Sequence, residues 1–251
     1  MVGLSRLPID RPMVIVGNHG NSLIDPMLLL GFLPVPMRFL AKSTLWRHPV
    51  VKYLVKLSGA IPVFRKQDPG SGTSQNLSTF AASYRVLKQS GAIALFPEGV
   101  SHTSPQLLPM KTGAARIALE AERLYGPLGV QIVPVGLLFE ARGRFRSSVM
   151  IKVGEPISLM KSAEPVEAVG SSPHLEVDDQ PGSSLILDPD LVRDLTARID
   201  AGLRTVTLNY DSWQEARLIE RAAEIYQRES TSVSGDLSLA VGFATKKAVL
   251  S

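Results

Sequence analysis

Short apolar runs alternate with segments of helical periodicity along the first 140 residues, and this alternation limits the possible folds more than any other feature. The runs MVIVG, IPVFR, AIALF and QIVPVGLLF occupy residues 13–17, 61–65, 92–96 and 131–139. Apolar runs of this length between turn residues predict buried strands, and strands that alternate with helices predict a largely parallel sheet. We therefore predict an α/β fold in which a mostly parallel sheet is flanked by helices.

The segments between the strands carry helix start and stop signals. Ser43 is placed to cap one helix and Gly126 to end another, as Ser and Gly commonly do. Pro134 lacks the N–H that a central strand position donates, so we predict that its strand is an edge strand or carries a bulge. The predicted helices cover residues 22–32, 44–57, 112–125 and a stretch between the Gly/Ser/Thr loop at 68–74 and Gly91, with a further strand at 37–41.

The sequence changes in character after Gly154, and this change divides the chain into predicted parts. Residues 1–158 form the α/β core, whereas residues 159–187 are rich in Ser, Pro, Gly and acids and are predicted to be a mobile insertion. Helical periodicity returns in residues 188–229, with helices expected at 190–203 and 211–228. Residues 230–251 form a tail without helical periodicity.

The charge is distributed unevenly and points to an anionic partner. Residues 1–125 carry 14 Lys and Arg against six Asp and Glu, a net charge of +8, whereas the whole chain carries +4. No acid interrupts residues 38–66, where the basic residues alternate with Leu, Val, Phe and Trp. This mixture favours a phosphate or an anionic membrane surface over nucleic acid. No stretch reaches the roughly 18 apolar residues of a membrane-spanning helix.

The chain contains no cysteine. This absence excludes disulfides, thiolate nucleophiles and cysteine-ligated metal sites. The sequence also lacks the nucleophile elbow G-x-S-x-G, the phosphate loop G-x-x-x-x-G-K-[ST], the dinucleotide motif G-x-G-x-x-G and the zinc motif H-E-x-x-H. The serine-hydrolase, nucleotide-binding and zinc-hydrolase classes therefore have no local support.

Polar side chains cluster where three of the predicted strands end. His19 follows the first run, Arg65 ends the second, and Glu98 and Gly99 follow the third. The carboxyl ends of parallel strands meet at one edge of an open α/β sheet, and ligands bind beyond that edge. The sequence therefore predicts that a base, a cation and an acid meet at one site.

His19 and Asp25 are the best candidates for catalysis. An imidazole exchanges protons near neutral pH and can accept the proton of an alcohol when a carboxylate holds its other nitrogen. Asp25 falls in the first turn of a helix that starts at Ser22, from where it can reach back to His19. The alternative is a capping box formed by Ser22 and Asp25, with His19 as a turn residue.

Arg65 and Lys111 are candidate phosphate contacts near the same strand ends. The planar guanidinium of Arg65 suits a phosphate, although a cation beside Lys66 can equally be a solvated surface residue. Glu98 opens a polar loop that also holds Ser101 and ends near Lys111, and here the alternative is a strand-to-loop turn with a solvated glutamate. On the residues alone, both readings of this loop stay open.

Four blocks of sequence resemble the ordered motifs of the glycerolipid acyltransferase superfamily. The blocks are NHGNSLIDP, GAIPVFR, FPEGVS and IVPVGL, at residues 18–26, 59–65, 96–101 and 132–137. Four blocks in the family's order are far more specific than any single motif. The stretches LPMKTGAARIAL and VTLNYDSW make the chain most similar to the branch that acylates glycerol 3-phosphate or dihydroxyacetone phosphate.

The resemblance implies the acyltransferase α/β fold and transfer of a fatty acyl group from a thioester of coenzyme A or acyl carrier protein to a glycerol hydroxyl. It implies His19 as the general base, Asp25 as its orienting partner and Arg65 as the holder of the acceptor phosphate. It implies no metal and no cofactor beyond the thioester co-substrate. The remaining predicted substrate-binding residues are Glu98, Gly99, Ser101, Lys111 and Pro134, the last assigned to the acyl donor.

The resemblance leaves two alternative functions open, and the sequence departs from the family pattern in places. An acyltransferase acting on lysophosphatidate would use the same residues, and a non-catalytic lipid-binding protein could retain the same fold. Five residues separate His19 from Asp25, whereas four is the commoner family spacing. Met1 lies only a dozen residues before the first strand, so we expect a catalytic core that is a fragment. The expected location is the cytoplasmic face of a membrane, with peripheral attachment and no spanning segment in this chain.

Overall fold

The computed structural model describes residues 1–64, 73–159 and 187–231. Within them, one mixed sheet has the strand order β3-β2-β4-β1-β5-β6, and β7 pairs with β5 beside that path. The strands are β1 Met13–Gly17, β2 Met37–Lys42, β3 Ile61–Val63, β4 Ala92–Leu95, β5 Gln131–Phe139, β6 Val149–Val153 and β7 Ile157–Ser158. The helices are α1 Ile24–Phe32, α2 Val51–Leu57, α3 Thr73–Lys88, α4 Gly113–Tyr125, α5 Pro189–Val206 and α6 Trp213–Thr231.

The first five strands are parallel, which confirms the predicted α/β class. β1 lies between β4 and β5, with Met13 opposite both Ala92 and Gln131. β6 and β7 run antiparallel to β5. Because β1 to β5 point the same way, the turns that follow them all lie at one edge of the sheet, which we call the catalytic edge.

The sheet is buried on both faces, which explains why its strands read as unbroken apolar runs. Val14 and Val16 of β1 pack into the core on one face, and Met13 and Ile15 into the core on the other. All four are at most 1% exposed. Parallel sheets covered by helices on both faces favour such runs over alternating polar and apolar residues.

Two predicted helices begin later than expected. The stretch predicted as one helix over residues 44–57 is a 3₁₀ turn, Ser43–Arg47, followed by α2. His48 is extended, with ψ 131°, because it precedes Pro49 and that position disfavours the helical conformation. The first helix begins at Ile24 rather than at Ser22, which has a φ of +46° and lies outside the helix.

Pro134 lies in the interior of the sheet, so of the two predicted alternatives, an edge strand or a bulge, the edge strand is wrong. The Pro134 C=O accepts the N–H of Gly154 at 2.8 Å and therefore faces away from β1. The nitrogen and the C=O of a strand residue lie on the same side, so the proline nitrogen faces the gap between β6 and β7. β6 pairs from Val135 onward and β7 pairs only up to Ile132. The partner strand is thus interrupted opposite the proline, and no ladder hydrogen bond is lost.

The two predicted C-terminal helices form, and α5 packs on the sheet. Asp188 caps α5 by accepting the N–H of Asp190 at 2.8 Å. A Cβ added to Gly136 would overlap the Val206 carbonyl oxygen, so the last turn of α5 lies directly on β5. The predicted insertion at 159–187 lies outside the described residues except at its two ends, as does the predicted tail apart from its first residues.

Candidate active site

The turn after β1 brings His19 to the catalytic edge and holds it there. The Asn18 amide forms two hydrogen bonds with Leu137 of β5, donating to its carbonyl oxygen at 3.0 Å and accepting its N–H at 2.7 Å. The His19 ring stacks on Phe96 with 4.1 Å between ring centroids and 5° between their planes. These contacts fix the backbone and the ring of His19 together.

His19 and Asp25 form the predicted pair. His19 Nδ1 lies 2.9 Å from Asp25 Oδ2, and the N–H of Asn21 donates to the same oxygen at 2.7 Å. Asp25 is fully buried in the first turn of α1. Since a carboxylate oxygen only accepts, Nδ1 is the donor and Nε2 presents its lone pair to a substrate. The capping-box alternative is wrong, because the Ser22 side chain does not cap α1.

Glu98 holds the backbone of the His19 turn. Its Oε1 accepts the His19 N–H at 3.0 Å, and its Oε2 accepts the Leu108 N–H at 2.8 Å and contacts His102 Nε2. The residue is 2% exposed, so the reading as a solvated glutamate is wrong. Both carboxylate oxygens are occupied by protein donors, and the side chain acts on the site through the two loops that it joins.

His102 is part of the same network rather than a surface histidine. Its Nδ1 accepts the N–H of Ser104 at 3.1 Å, so Nε2 carries the proton and donates to Glu98. Its own backbone N–H donates to the His19 carbonyl oxygen at 3.1 Å. The two backbone groups of His19 are therefore held by residues 98 and 102 of one loop.

Ser101, Gly99 and Lys111 lie on the open side of this loop. Ser101 Oγ accepts the N–H of Ser22 at 3.0 Å and so joins the two loops at the surface. Gly99 has a φ of +73°, and a Cβ there would overlap the Lys111 ammonium group. The lysine side chain thus crosses over Gly99, and its backbone N–H donates to Pro97 at 2.8 Å.

A cavity of about 900 Å³ opens beside His19 and is mainly apolar. The polar side chains that line it include His19, Ser101 and Lys111 at its polar end, and Lys42 at the carboxyl end of β2. Its walls come from the two helices that follow β1 and β2, through Leu23, Met27, Leu30, Leu54 and Leu57. The cavity can take a polar, anionic group next to the histidine and a long apolar chain between α1 and α2.

Two predicted substrate-binding residues remain, Arg65 and Pro134. Arg65 lies outside the described residues, although β3, which leads toward it, ends at Val63 on the catalytic edge. Pro134 is buried away from this cavity, and its ring packs near Gly154 and Gly202. Lys42 is not among the predicted site residues, yet its position at a strand end carries the same signal that selected Arg65.

Within the three described ranges, the protein has neither a cluster of metal-ligating side chains nor a helix suited to span a membrane. No group of three or more His, Asp or Glu there is arranged to hold a metal ion. None of the helices in those ranges combines the length and the apolar character that crossing a membrane requires.

Comparison with protein families gives one match that covers more than half of the chain. A family model described as "Acyltransferase" matches residues 1–138. The matched range includes His19, Asp25, Glu98, Ser101 and Lys111. The whole polar end of the cavity therefore lies inside the matched segment.

Curated relatives include proteins named for two acyltransferase activities. Glycerol-3-phosphate O-acyltransferase 2 of Saccharomyces cerevisiae is 32% identical over 153 residues, which cover 61% of this chain and 18% of the yeast protein. The 1-acyl-sn-glycerol-3-phosphate acyltransferase of Borreliella burgdorferi is 24% identical over 154 residues, covering 61% of this chain and 56% of the relative. The aligned part of this chain thus spans about a fifth of the yeast protein and just over half of the bacterial one.

A solved structure shares the fold. It is that of the 1-acyl-sn-glycerophosphate acyltransferase PlsC from Thermotoga maritima, with a TM-score of 0.51 and 20% sequence identity. The alignment covers 81% of this chain and 68% of that structure. At this identity the likeness shows the arrangement of the sheet and its helices, and no more.

Proposed function

The chain belongs to the glycerolipid acyltransferase family, and from that premise we propose that its cavity transfers a fatty acyl group from an acyl thioester to a hydroxyl of glycerol 3-phosphate or dihydroxyacetone phosphate. One observation carries the proposal. His19, held at Nδ1 by the buried Asp25 carboxylate at 2.9 Å, faces a large apolar cavity whose polar end also carries Lys111.

The proposed reaction follows from the chemistry of these groups. His19 Nε2 accepts the proton of the acceptor hydroxyl while that oxygen attacks the thioester carbonyl carbon. The tetrahedral intermediate then collapses, the carbon–sulfur bond breaks, and the imidazolium returns its proton to the leaving thiolate. Asp25 stabilises the imidazolium that forms between the two steps and keeps the ring in one orientation.

The acceptor phosphate needs cations near His19, and the cavity supplies two candidates. Lys111 lies over Gly99 at the polar end, and Lys42 lines the same cavity from β2. We assign the phosphate to this end, with Arg65 as a third proposed contact on the family resemblance. Glu98, Gly99 and Ser101 shape the site in this proposal, the first by positioning its loops and the other two by lining the cavity.

Lysophosphatidate is the second candidate acceptor, and the apolar walls of the cavity are compatible with it. A cavity of about 900 Å³ with apolar walls has room for an acceptor that already carries an acyl chain. Relatives of both kinds match the chain. A non-catalytic lipid-binding role is the third candidate. It would not require the hydrogen-bonded His19–Asp25 pair, so the pair disfavours it.

Contact with a membrane is part of the proposal. Leu23, Met27, Leu54 and Leu57 line the cavity, and each exposes at least 42% of its surface. Exposed apolar patches around a cavity mark surfaces that meet lipid or protein. A lipid surface would deliver an apolar substrate directly to this opening.

The test is acyl transfer from a labelled acyl thioester to each acceptor separately and in competition. We expect glycerol 3-phosphate or dihydroxyacetone phosphate to be acylated with the higher kcat/KM. Preference for lysophosphatidate would replace the first proposal with the second. A folded chain that transfers to none of the three but binds lipid would favour the non-catalytic role.

A further inference from the structure

The turn that joins β5 to β6, residues 141–147, is an exposed basic segment with an aromatic side chain among its arginines. Arg142, Arg144 and Arg146 are all exposed. Phe145 is 91% exposed, more than any other large apolar residue in the described ranges. We call residues 141–147 the arginine turn.

Backbone hydrogen bonds hold the arginine turn in shape. The N–H of Arg144 donates to the Ala141 carbonyl oxygen at 3.1 Å, and the N–H of Ala141 donates to Ser147 Oγ at 2.8 Å. The N–H of Glu140 closes the base of the turn on the Ser148 carbonyl oxygen at 3.0 Å. Phe145 is therefore held in solvent by an ordered turn, where a large apolar side chain is unfavourable unless a partner covers it.

The charge of the turn is not balanced by acids of its own. No Asp or Glu occurs from Ala141 to Gly154. Within the ranges that the structure describes, the three arginines of the turn form no ion pair with an acid. Two acids near His19, Asp25 and Glu98, are both buried, whereas Glu140 at the base of the turn is exposed. The three arginines and the exposed Glu140 at the base of the turn thus carry a net charge of +2.

The arginine turn lies on the same edge of the sheet as the cavity. β5 is parallel to β1, so the residues that follow the two strands emerge at one edge. The Arg142 guanidinium lies against Gly20, the residue after His19, where an added Cβ would come within 2.9 Å of Cζ. A flat partner that touches the arginine turn would therefore also approach the turn that carries His19.

We propose that the arginine turn docks this edge of the protein on the anionic surface of a lipid bilayer. The arginines bind lipid phosphates, for which a guanidinium is well suited, and Phe145 enters the interface between headgroups and acyl chains. The apolar side chains of α1 and α2 around the cavity favour a bilayer over nucleic acid. This docking deepens the proposed function by naming the surface that orients the cavity toward lipid.

The test is sedimentation of the full chain with vesicles of phosphatidylcholine alone or with 30% phosphatidylserine. The variant Arg144→Gln/Phe145→Ala/Arg146→Gln removes two cations and one apolar side chain from the turn. Its matched control, Arg217→Gln/Leu218→Ala/Arg221→Gln, removes the same groups from exposed positions on α6. Each arginine near an anionic surface is worth about fivefold in affinity, so the two arginine changes alone should weaken binding to anionic vesicles about 25-fold, and the loss of Phe145 should weaken it further.

The control variant should bind anionic vesicles as the wild type does, and added salt should weaken wild-type binding. Equal loss in both variants, or wild-type binding that does not depend on phosphatidylserine, would overturn the proposal. Displacement of the vesicles by a single-stranded oligonucleotide would assign the turn to nucleic acid instead. His19→Ala should bind vesicles normally, so a failure of docking and a failure of the proposed acyl transfer are distinguishable.

Discussion

The Glu98 carboxylate accepts the backbone N–H of His19 at 3.0 Å and so positions the proposed general base instead of binding the proposed acceptor. Its second oxygen is taken by His102 and Leu108. The loop that opens with Glu98 therefore determines where His19 sits. Sequence alone leaves two roles open for the acid of the FPEG motif, either contact with the acceptor or positioning of the neighbouring loop. These hydrogen bonds favour the positioning role.

Replacing Glu98 tests this role directly. Glu98→Gln turns one acceptor oxygen into a donor, which leaves a buried N–H of the network unpaired at a cost of about 1–3 kcal/mol. We expect a lower free energy of unfolding and a lower kcat, with the acceptor KM little changed. Urea unfolding and steady-state kinetics measure both. A raised acceptor KM at unchanged stability would instead indicate that Glu98 binds the acceptor.

His102 should be energetically coupled to Glu98. His102→Phe removes both the donor to Glu98 and the acceptor for Ser104, whereas His102→Gln keeps an amide donor for the carboxylate. Residues that share one network show coupling energies of about 0.5–3 kcal/mol in double-mutant cycles. We expect His102→Phe and Glu98→Gln to be non-additive in urea unfolding and His102→Gln to be the milder change. Additive effects would show that the two side chains act separately.

Lys111 should contribute to acceptor binding through its charge. Hydrogen bonds to charged groups are worth about 1.5–3 kcal/mol, so Lys111→Met should raise the KM for a phosphate acceptor roughly tenfold to a hundredfold. Arg116→Met is the matched control, because Arg116 is an exposed cation five residues farther along that does not line the cavity. Equal effects in both variants would point to general charge steering.

Replacing two glycines by alanine should change the stability of the protein in opposite directions. Gly99 has a φ of +73° and is overlaid by Lys111, so Gly99→Ala should destabilise the fold by about 1 kcal/mol or more and displace the lysine. Gly31 lies inside α1, and a Cβ there meets no atom within 4 Å. Gly31→Ala should therefore stabilise the protein by about 0.5–1 kcal/mol. Thermal unfolding of both variants measures whether each substitution lowers or raises the stability.

Tyr210 should make the folded state sensitive to alkaline pH. Burial raises the pKa of Tyr210 to about 12, from 10 in the unfolded chain. Because the folded state favours the protonated phenol, this contribution is fully present below pH 10 and is lost as the pH rises through 12. Tyr210→Phe should lose less stability between pH 9 and pH 11.5 than the wild type does, as measured by urea unfolding. An identical pH dependence would contradict the assignment.

The strand pattern predicts the parallel sheet and its catalytic edge because parallel strands buried on both faces must be apolar throughout. The same reasoning places His19 at that edge, and the first turn of the helix that follows selects Asp25 as its partner. It misplaces Pro134 because the interruption opposite that residue depends on where β6 and β7 pair, far along the chain. It leaves Glu98 ambiguous because the donors that bury its carboxylate come from His19, His102 and Leu108, and only the folded loops bring them together.

The most direct test of the account is acyl transfer to glycerol phosphate acceptors by the wild type, His19→Ala and the control His48→Ala. His48 lies between the Ser43–Arg47 turn and α2, and it is exposed. Loss of a general base should lower kcat roughly 100-fold or more, with the fold intact by circular dichroism, whereas His48→Ala should retain activity. A folded His19→Ala variant with near wild-type turnover would contradict the central claim that His19 is the general base.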